Sequence, residues 1–122
     1  NHLVALRALG MNLKDIVAKA KQNAPQGLTV EVEVNTAQEA LDAAEAGVDI
    51  IMLDNMNPEE MRRVVGLLPS QVKTEASGGI TLDNVQAAAK AGVNIISIGA
   101  LTHSAKALDM SLELESQTLE LF

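Results

Sequence analysis

Apolar positions along this chain switch between two spacings. Leu13, Ile16, Val17 and Ala20 recur at helical intervals in a segment from about Asn12 to Asn23. Val30, Val32 and Val34 instead alternate with Glu31 and Glu33, the two-residue period of a strand, predicted over about Leu28–Val34. Thr36 and Glu39 form a capping box for a helix that runs to about Ala46, where Gly47 ends it. The β-branched run Ile50–Leu53 is the next strand. Asn57-Pro58 then supplies an N-cap and a first-turn proline, with Glu60 close behind, for a helix to about Leu68. Met61, Val64, Val65 and Leu68 share one face of it, and Pro69 stops it. A strand Val72–Ala76, a helix Leu82–Ala91 and a strand Asn94–Ile98 complete the series. A short helix after Ser104 and a last segment near Met110–Leu114 close the chain.

One internal repeat stands out. Ala44-Glu-Ala-Gly-Val-Asp-Ile-Ile-Met-Leu-Asp54 aligns with Ala89-Lys-Ala-Gly-Val-Asn-Ile-Ile-Ser-Ile-Gly99 at an offset of 45 residues. Each copy reads as a helix end, a glycine cap and a short strand with a functional-looking residue at its tip. A period of this length also suits a solenoid of paired helices. The β-branched runs Ile50–Leu53 and Ile95–Ile98 favour strand–helix units instead.

Strict alternation of strand and helix implies a parallel sheet wound right-handed, either open or closed. Side-chain parity discriminates. Glu31 and Glu33 share a face opposite Val30, Val32 and Val34, while Lys73, Glu75 and Ser77 share a face opposite Val72 and Thr74. Strands of an open, doubly covered sheet read nearly all apolar. One apolar and one charged face fits a barrel, with valines under the helices and charged groups turned inward. A complete (β/α)8 barrel takes about 250 residues, so about four strands in 122 residues predict about half of a TIM-like barrel, truncated at its N-terminus. The sequence opens at Asn1 rather than Met and reads as cut from something longer; the rest of the barrel belongs to another chain, was lost, or is a second copy of this half.

Composition removes several function classes. Phe122 is the only aromatic residue and the formal net charge is −7. Single-stranded nucleic acid is bound on aromatic platforms, and a negative surface repels its backbone, so no nucleic-acid partner is expected. No apolar run approaches the roughly 20 residues of a membrane span, and no membrane partner is expected. The absence of cysteine excludes a disulfide framework and thiolate chemistry, which suits a cytoplasmic protein.

Residues at the C-terminal ends of barrel strands carry the chemistry. Here they are Glu33 and Asn35, Asp54 and Asn55, Glu75 with Ser77-Gly78-Gly79, and Gly99 with Thr102 and His103 beyond it. Ser77-Gly78-Gly79, running into the next helix, predicts a phosphate cradle, because paired glycines let backbone approach an anion and helix N–H groups face it. The second glycine turn, Ile98-Gly-Ala-Leu-Thr-His103, supplies its other half. Two carboxylates facing such a cradle suit a phosphorylated sugar: they accept hydrogen bonds from vicinal ribose hydroxyls and hold Mg2+ through oxygen. Glu33 and Asp54 take that role. Asp54-Asn55 as a mere helix cap is disfavoured, since Asn57-Pro58 already caps the following helix. His103 reads as a phosphate contact rather than a helix cap.

The remaining charges have plainer readings. Glu31 and Lys73 are expected in an internal ion-pair layer, and Glu75 suits that layer or the ligand equally well. Glu33 as a partner of Lys73 is the rival to its ligand role. Arg7, Lys14, Lys19, Lys21, Arg62, Arg63, Lys90 and Lys106 fall on helices or their flanks, hence outside. A polyanionic ligand needs Arg or Lys, so those cations are expected from outside this chain.

With these residues in view, the sequence resembles quinolinate phosphoribosyltransferase, also called nicotinate-nucleotide pyrophosphorylase (carboxylating), along essentially its whole length. The motifs are Asn1-His2, Val30-Glu-Val-Glu-Val34, Ile51-Met-Leu-Asp-Asn55, Glu75-Ala-Ser-Gly-Gly79 and Gly99-Ala-Leu-Thr-His-Ser104. The resemblance implies ribose and Mg2+ contacts at Glu33 and Asp54, which makes them the catalytic pair. It implies 5′-phosphate contacts at Ser77, Gly78, Gly99 and His103. It further implies quinolinate and phosphoribosyl pyrophosphate as substrates, nicotinate mononucleotide, CO2 and pyrophosphate as products, and a homodimer or higher homo-oligomer. In the family, the cationic quinolinate site and a strand-end Lys precede the Asn-His pair, so this chain keeps the phosphoribose half. A non-catalytic fragment or half-barrel, and a paralogous phosphate-binding barrel such as a molybdenum-transport-associated relative, are the alternatives.

Overall fold

The computed structural model describes residues 2–102 and 110–112. Four parallel strands lie side by side in chain order: β1 (Glu31–Val34), β2 (Ile50–Asp54), β3 (Lys73–Ser77) and β4 (Ile95–Ile96). Helices α1 (His2–Ala8) and α2 (Leu13–Asn23) precede the sheet, while α3 (Ala37–Ala46), α4 (Pro58–Leu67) and α5 (Val85–Lys90) join successive strands. Each helix packs on the next, α1 on α2 through to α4 on α5, in one layer.

That layer covers the face predicted from parity. Val32, Val34, Ile51, Leu53 and Ala76 point into it and meet Leu13, Val17, Ala40, Ala43, Met61, Val64 and Ala88 in one core. Ile51 and Leu53 are wholly buried, and each such side chain contributes about 1.5–3 kcal/mol of transfer free energy. The opposite face, from Glu31 and Glu33 through Ile50, Met52 and Asp54 to Ile95 and Ser97, is exposed or half-buried except at Glu75. A parallel sheet roofed by helices on one side, with carboxylates on the other, is the arrangement of part of a barrel wall.

Local chemistry explains most boundaries. Asn57 caps α4 in a reciprocal box: its side chain accepts from the Glu60 N–H while Glu60 Oε2 accepts from the Asn57 N–H. Thr36 caps α3 through the Glu39 N–H at 3.2 Å, but Glu39 reaches back to the Asn35 N–H rather than to Thr36, so that box is only half formed. Gly47 and Gly92 close their helices at φ +85° and +96°, the equivalent places of the sequence repeat.

Beyond one-residue shifts at β2 and β3, several elements differ from the sequence reading. β1 begins at Glu31, after exposed Leu28 and Thr29, because the Val30 N–H is taken by the Asp49 carboxylate before the ladder starts. The helix predicted from Leu82 begins at Val85, because Asn84 first ties a turn, accepting from the Thr81 N–H and donating to the Gly79 carbonyl. β4 is only Ile95–Ile96, since an Asn94 side chain replaces backbone pairing at its start. Helix α1 occupies a stretch for which no element was predicted, and Leu3 packs it against the core. The helix expected after Ser104 lies outside the described residues, and Met110–Leu112 carry no regular element.

Candidate functional site

The strand ladder sets the site's geometry. In register, Glu33 pairs with Met52, Met52 with Glu75, and Glu75 with Ile95; one step nearer the C-terminal rim, Asp54 pairs with Ser77. Side chains two apart on a strand share a face. Glu33, Asp54 and Ser77 therefore stand on the helix-free face, in two adjacent rows at the C-terminal end.

Asp54 is half-buried and held. Its Oδ2 accepts from Asn55 Nδ2 at 2.9 Å and from Asn35 Nδ2 at 3.2 Å, while Oδ1 meets no donor among the described residues. Asn35 and Asn55, named by the sequence only as rim residues, thus turn out to be its supports. Glu33 is exposed and its side chain makes no hydrogen bond among the described residues, and nothing ties it to Lys73.

Beyond Ser77 the backbone turns through Gly78 and Gly79, both left-handed at φ +82° and +61°. A Cβ on Gly78 would stand 2.3 Å from Asn55 Oδ1 and 2.8 Å from its backbone N. Only glycine fits that place. The helix N-terminus expected directly behind the glycines is displaced to Val85 by the Thr81–Asn84 turn. Gly99 opens an exposed 3-10 turn, Gly99–Leu101, after β4. His103 lies outside the described residues.

Below this rim the expected ion-pair layer is not formed. Lys73, first in β3, is exposed and makes no ion pair among the described residues. Glu75, 8% exposed, is bound instead by the Ser97 hydroxyl, which donates to its Oε1. Glu31, although exposed as a residue, has its carboxyl held above the ordinary range by desolvation first, then by the charge of Glu75 and a hydrogen bond with it. Lys73 misses both because it stands in the row of Glu31 and Ile50, at the bottom end of the sheet, with Ile50 between it and Glu31.

A second difference concerns Arg7. It is exposed on α1, as expected of an outer cation, but it also lines with His2 a cleft of about 660 Å3 between α1, α2 and β1 that takes in Glu31 and Glu33. The sequence pattern carried no signal for this, because no helix was predicted there.

The donor set suits an open Mg2+ site. No three His, Cys, Asp or Glu side chains converge on a metal position among the described residues. Mg2+ does not require such a cage: it binds through one or two carboxylates and completes its octahedron from water and substrate phosphates. A free Asp54 Oδ1 with Glu33 one row below on the adjacent strand meets that description. No helix of the described residues is long and apolar enough to cross a membrane.

Comparison with known proteins places the chain in a family. The family described as quinolinate phosphoribosyl transferase, C-terminal domain, matches residues 1–113. The chain is 42% identical to the probable nicotinate-nucleotide pyrophosphorylase [carboxylating] of Bacillus subtilis, over 93% of this chain and 38% of that protein. It is 45% identical to the human nicotinate-nucleotide pyrophosphorylase [carboxylating], again over 93% of this chain and 38% of the relative. Among solved structures, the nicotinate-nucleotide pyrophosphorylase from Francisella tularensis superposes with a TM-score of 0.70 at 39% identity, covering 82% of this chain and 35% of that one. A thiamine phosphate pyrophosphorylase from Pyrococcus furiosus superposes with a TM-score of 0.60 at 27% identity, covering 72% and 44%. The chain thus spans under two fifths of the length of the curated relatives described here.

Proposed function

The chain belongs to the quinolinate phosphoribosyl transferase C-terminal domain family, and from that premise we propose that it supplies the phosphoribose half of an active site that transfers phosphoribosyl from phosphoribosyl pyrophosphate to quinolinate. In that reaction a bond forms between the pyridine nitrogen and the ribose C1 as the bond from C1 to pyrophosphate breaks. The carboxylate next to the nitrogen leaves as CO2, its electron pair remaining on the ring to take a proton, and the product is nicotinate mononucleotide. The single observation that carries this reading is the register pairing of Asp54 with Ser77 on the helix-free rim, one row from Glu33. Acidic groups suited to ribose hydroxyls beside a glycine turn suited to a 5′-phosphate support the reading.

The roles follow from position. Asp54 Oδ1 and the unbonded Glu33 accept from ribose hydroxyls, and their negative charge favours the electron-poor ribosyl centre as the leaving group departs. Ser77 and the backbone of Gly78 receive the phosphate, joined by Gly99 and His103 after β4. Glu33 and Asp54 are also the residues that would hold Mg2+, which when bound neutralises charge on the departing pyrophosphate. Cations for quinolinate and pyrophosphate come largely from the rest of the complete protein, as the family resemblance implies, since among the described residues Lys73 is the one cation on the open strand face and Arg7 lines the cleft at its β1 edge. A cytoplasmic homodimer or higher homo-oligomer, and an N-terminal domain with the earlier barrel strands, belong to this reading on the family resemblance.

The test is nicotinate mononucleotide formation by the complete protein, with Glu33→Ala and Asp54→Ala alongside. Loss of electrostatic groups at a reacting centre costs about 100-fold or more in turnover, and that is expected of each variant. Near wild-type turnover in both would remove the site assignment; no turnover by the complete wild-type protein would remove the function.

A further inference from the structure

Asn55 has left-handed backbone at φ +52°, the only non-glycine residue with positive φ among those described. Asn tolerates that region better than most residues, yet the conformation still costs stability and persists where its surroundings enforce it. The surroundings are specific. The Asn55 N–H donates to the Ser77 carbonyl at 3.0 Å, tying the end of β2 to the end of β3. Its side-chain Nδ2 turns back to Asp54 Oδ2 at 2.9 Å. Its Oδ1 and Cγ occupy the space where a Cβ on Gly78 would be, 2.3 and 2.6 Å from that position.

We propose that Asn55 is a positioning residue for Asp54, and that position 78 is glycine in order to admit the Asn55 side chain as well as to meet a phosphate. With Asn35 on the same oxygen, Asn55 holds Oδ2 from two directions and so aims Oδ1 outward from the rim. A carboxylate fixed by neighbouring donors meets a hydroxyl or a cation without first losing rotamer freedom. This inference rests on the phosphoribosyl-transfer reading for its kinetic consequence, while the steric interlock of residues 55 and 78 stands on geometry alone.

Two measurements on the complete protein test it. In urea unfolding, Gly78→Ala should lower the midpoint more in the presence of Asn55 than in an Asn55→Gly background, where the Oδ1 and Cγ clashes are gone. Equal shifts in both backgrounds would overturn the interlock. In steady-state assays Asn55→Gly should lower kcat/KM for phosphoribosyl pyrophosphate by about 10–100-fold, the usual effect of removing a group that orients a ligating side chain. The KM for quinolinate should stay unchanged. A wild-type kcat/KM, or equal losses toward both substrates, would overturn the positioning role while leaving the proposed function intact if Asp54→Ala is inactive. A complete wild-type protein without turnover would overturn the proposed function and the positioning role together, and the urea midpoints then decide the interlock alone.

Discussion

Asp49 and Asn94, 45 residues apart in equivalent places of the sequence repeat, perform the same task at the entries to β2 and β4. The Asp49 N–H donates to the Val30 carbonyl at 3.0 Å, and Asp49 Oδ2 accepts from the Val30 N–H at 2.7 Å. The Asn94 N–H donates to the Thr74 carbonyl at 2.9 Å, and Asn94 Oδ1 accepts from the Thr74 N–H at 2.8 Å. Each side chain thereby closes a ring with the preceding strand or its first approach and sets the register before β-pairing begins. The positions of Glu33, Asp54 and Ser77 at the far rim inherit that register.

At the second of these places, Asn94→Ala should destabilise the chain markedly. It leaves the N–H of Thr74, which is only 2% exposed, without its acceptor. An orphaned buried donor costs about 1–3 kcal/mol. Asn94→Asp keeps an acceptor at the same atom and should cost less. Urea midpoints for the two variants check this, and equal losses would show that the bond to Thr74 is not what matters.

At the first place the side chain is charged, and the consequence is a pH dependence. The Val30 N–H, then Lys21, hold the Asp49 carboxyl below its ordinary value of 3.8. A folded pKa that lies lower than the unfolded one contributes stability above the unfolded value and loses it as pH falls through the folded value. Asp49→Asn should therefore be less stable than the parent at neutral pH, with the two converging in acid. The ion pair with Lys21 is half-exposed and adds at most about 1 kcal/mol. Urea unfolding at several pH values would show a constant gap if the carboxylate had no part in it.

How much of this was legible in the sequence differs by kind of information. Alternation along Glu31–Val34 fixes which residues face the helices, because a strand's period admits only two faces, and the core positions of Val32 and Val34 followed from it, whereas those of Ile51 and Leu53 needed the register of β2. Caps at Asn57 and Gly47 were equally readable, since they depend on neighbours along the chain. The partners of polar atoms were not. Asp49 and Asn94 look like turn residues until the strands are side by side. Lys73 looked like a partner for Glu31 until the ladder put Ile50 between them. Asn84 gave no local sign that it would delay α5 by a turn. At the site, the rim residues were legible from strand ends, whereas the support of Asp54 by Asn35 and Asn55 depended on loop conformation.

Ser97 is the hydroxyl donor to a carboxylate that is almost wholly buried, Glu75 Oε1. A hydrogen bond to a charged group contributes about 1.5–3 kcal/mol, so Ser97→Ala should lower stability by that order. Ser97→Thr retains the hydroxyl and should recover most of the loss. A Ser97→Ala variant with an unchanged urea midpoint would mean that Glu75 finds another donor.

Glu31→Gln should stabilise the chain at neutral pH. The groups around Glu31 are Glu33 on its own strand, Lys73 and Glu75 on β3 and Ser97 on β4, with His2 and Arg7 of α1 lining the cleft beside it; β2 presents Ile50 and Met52 between the strands. Lys73 makes no ion pair there, so desolvation, followed by the Glu75 carboxylate, raises the Glu31 pKa above the ordinary 4.5. For a folded pKa that lies higher than the unfolded one, the sign is the reverse of Asp49. The stability linked to Glu31 is full below the unfolded value and is lost as pH rises through the folded one. At neutral pH a charged Glu31 is then opposed by desolvation and by the neighbouring Glu75, a cost that a neutral glutamine avoids while keeping a donor for Glu75. The variant's advantage should shrink as pH is lowered toward 4.5 and vanish below it, since the parent's Glu31 is then protonated in both states. Parallel urea titrations of parent and variant across that range would measure the gap, and a gap that widened in acid would show that Glu31 is held by a cation rather than opposed by Glu75.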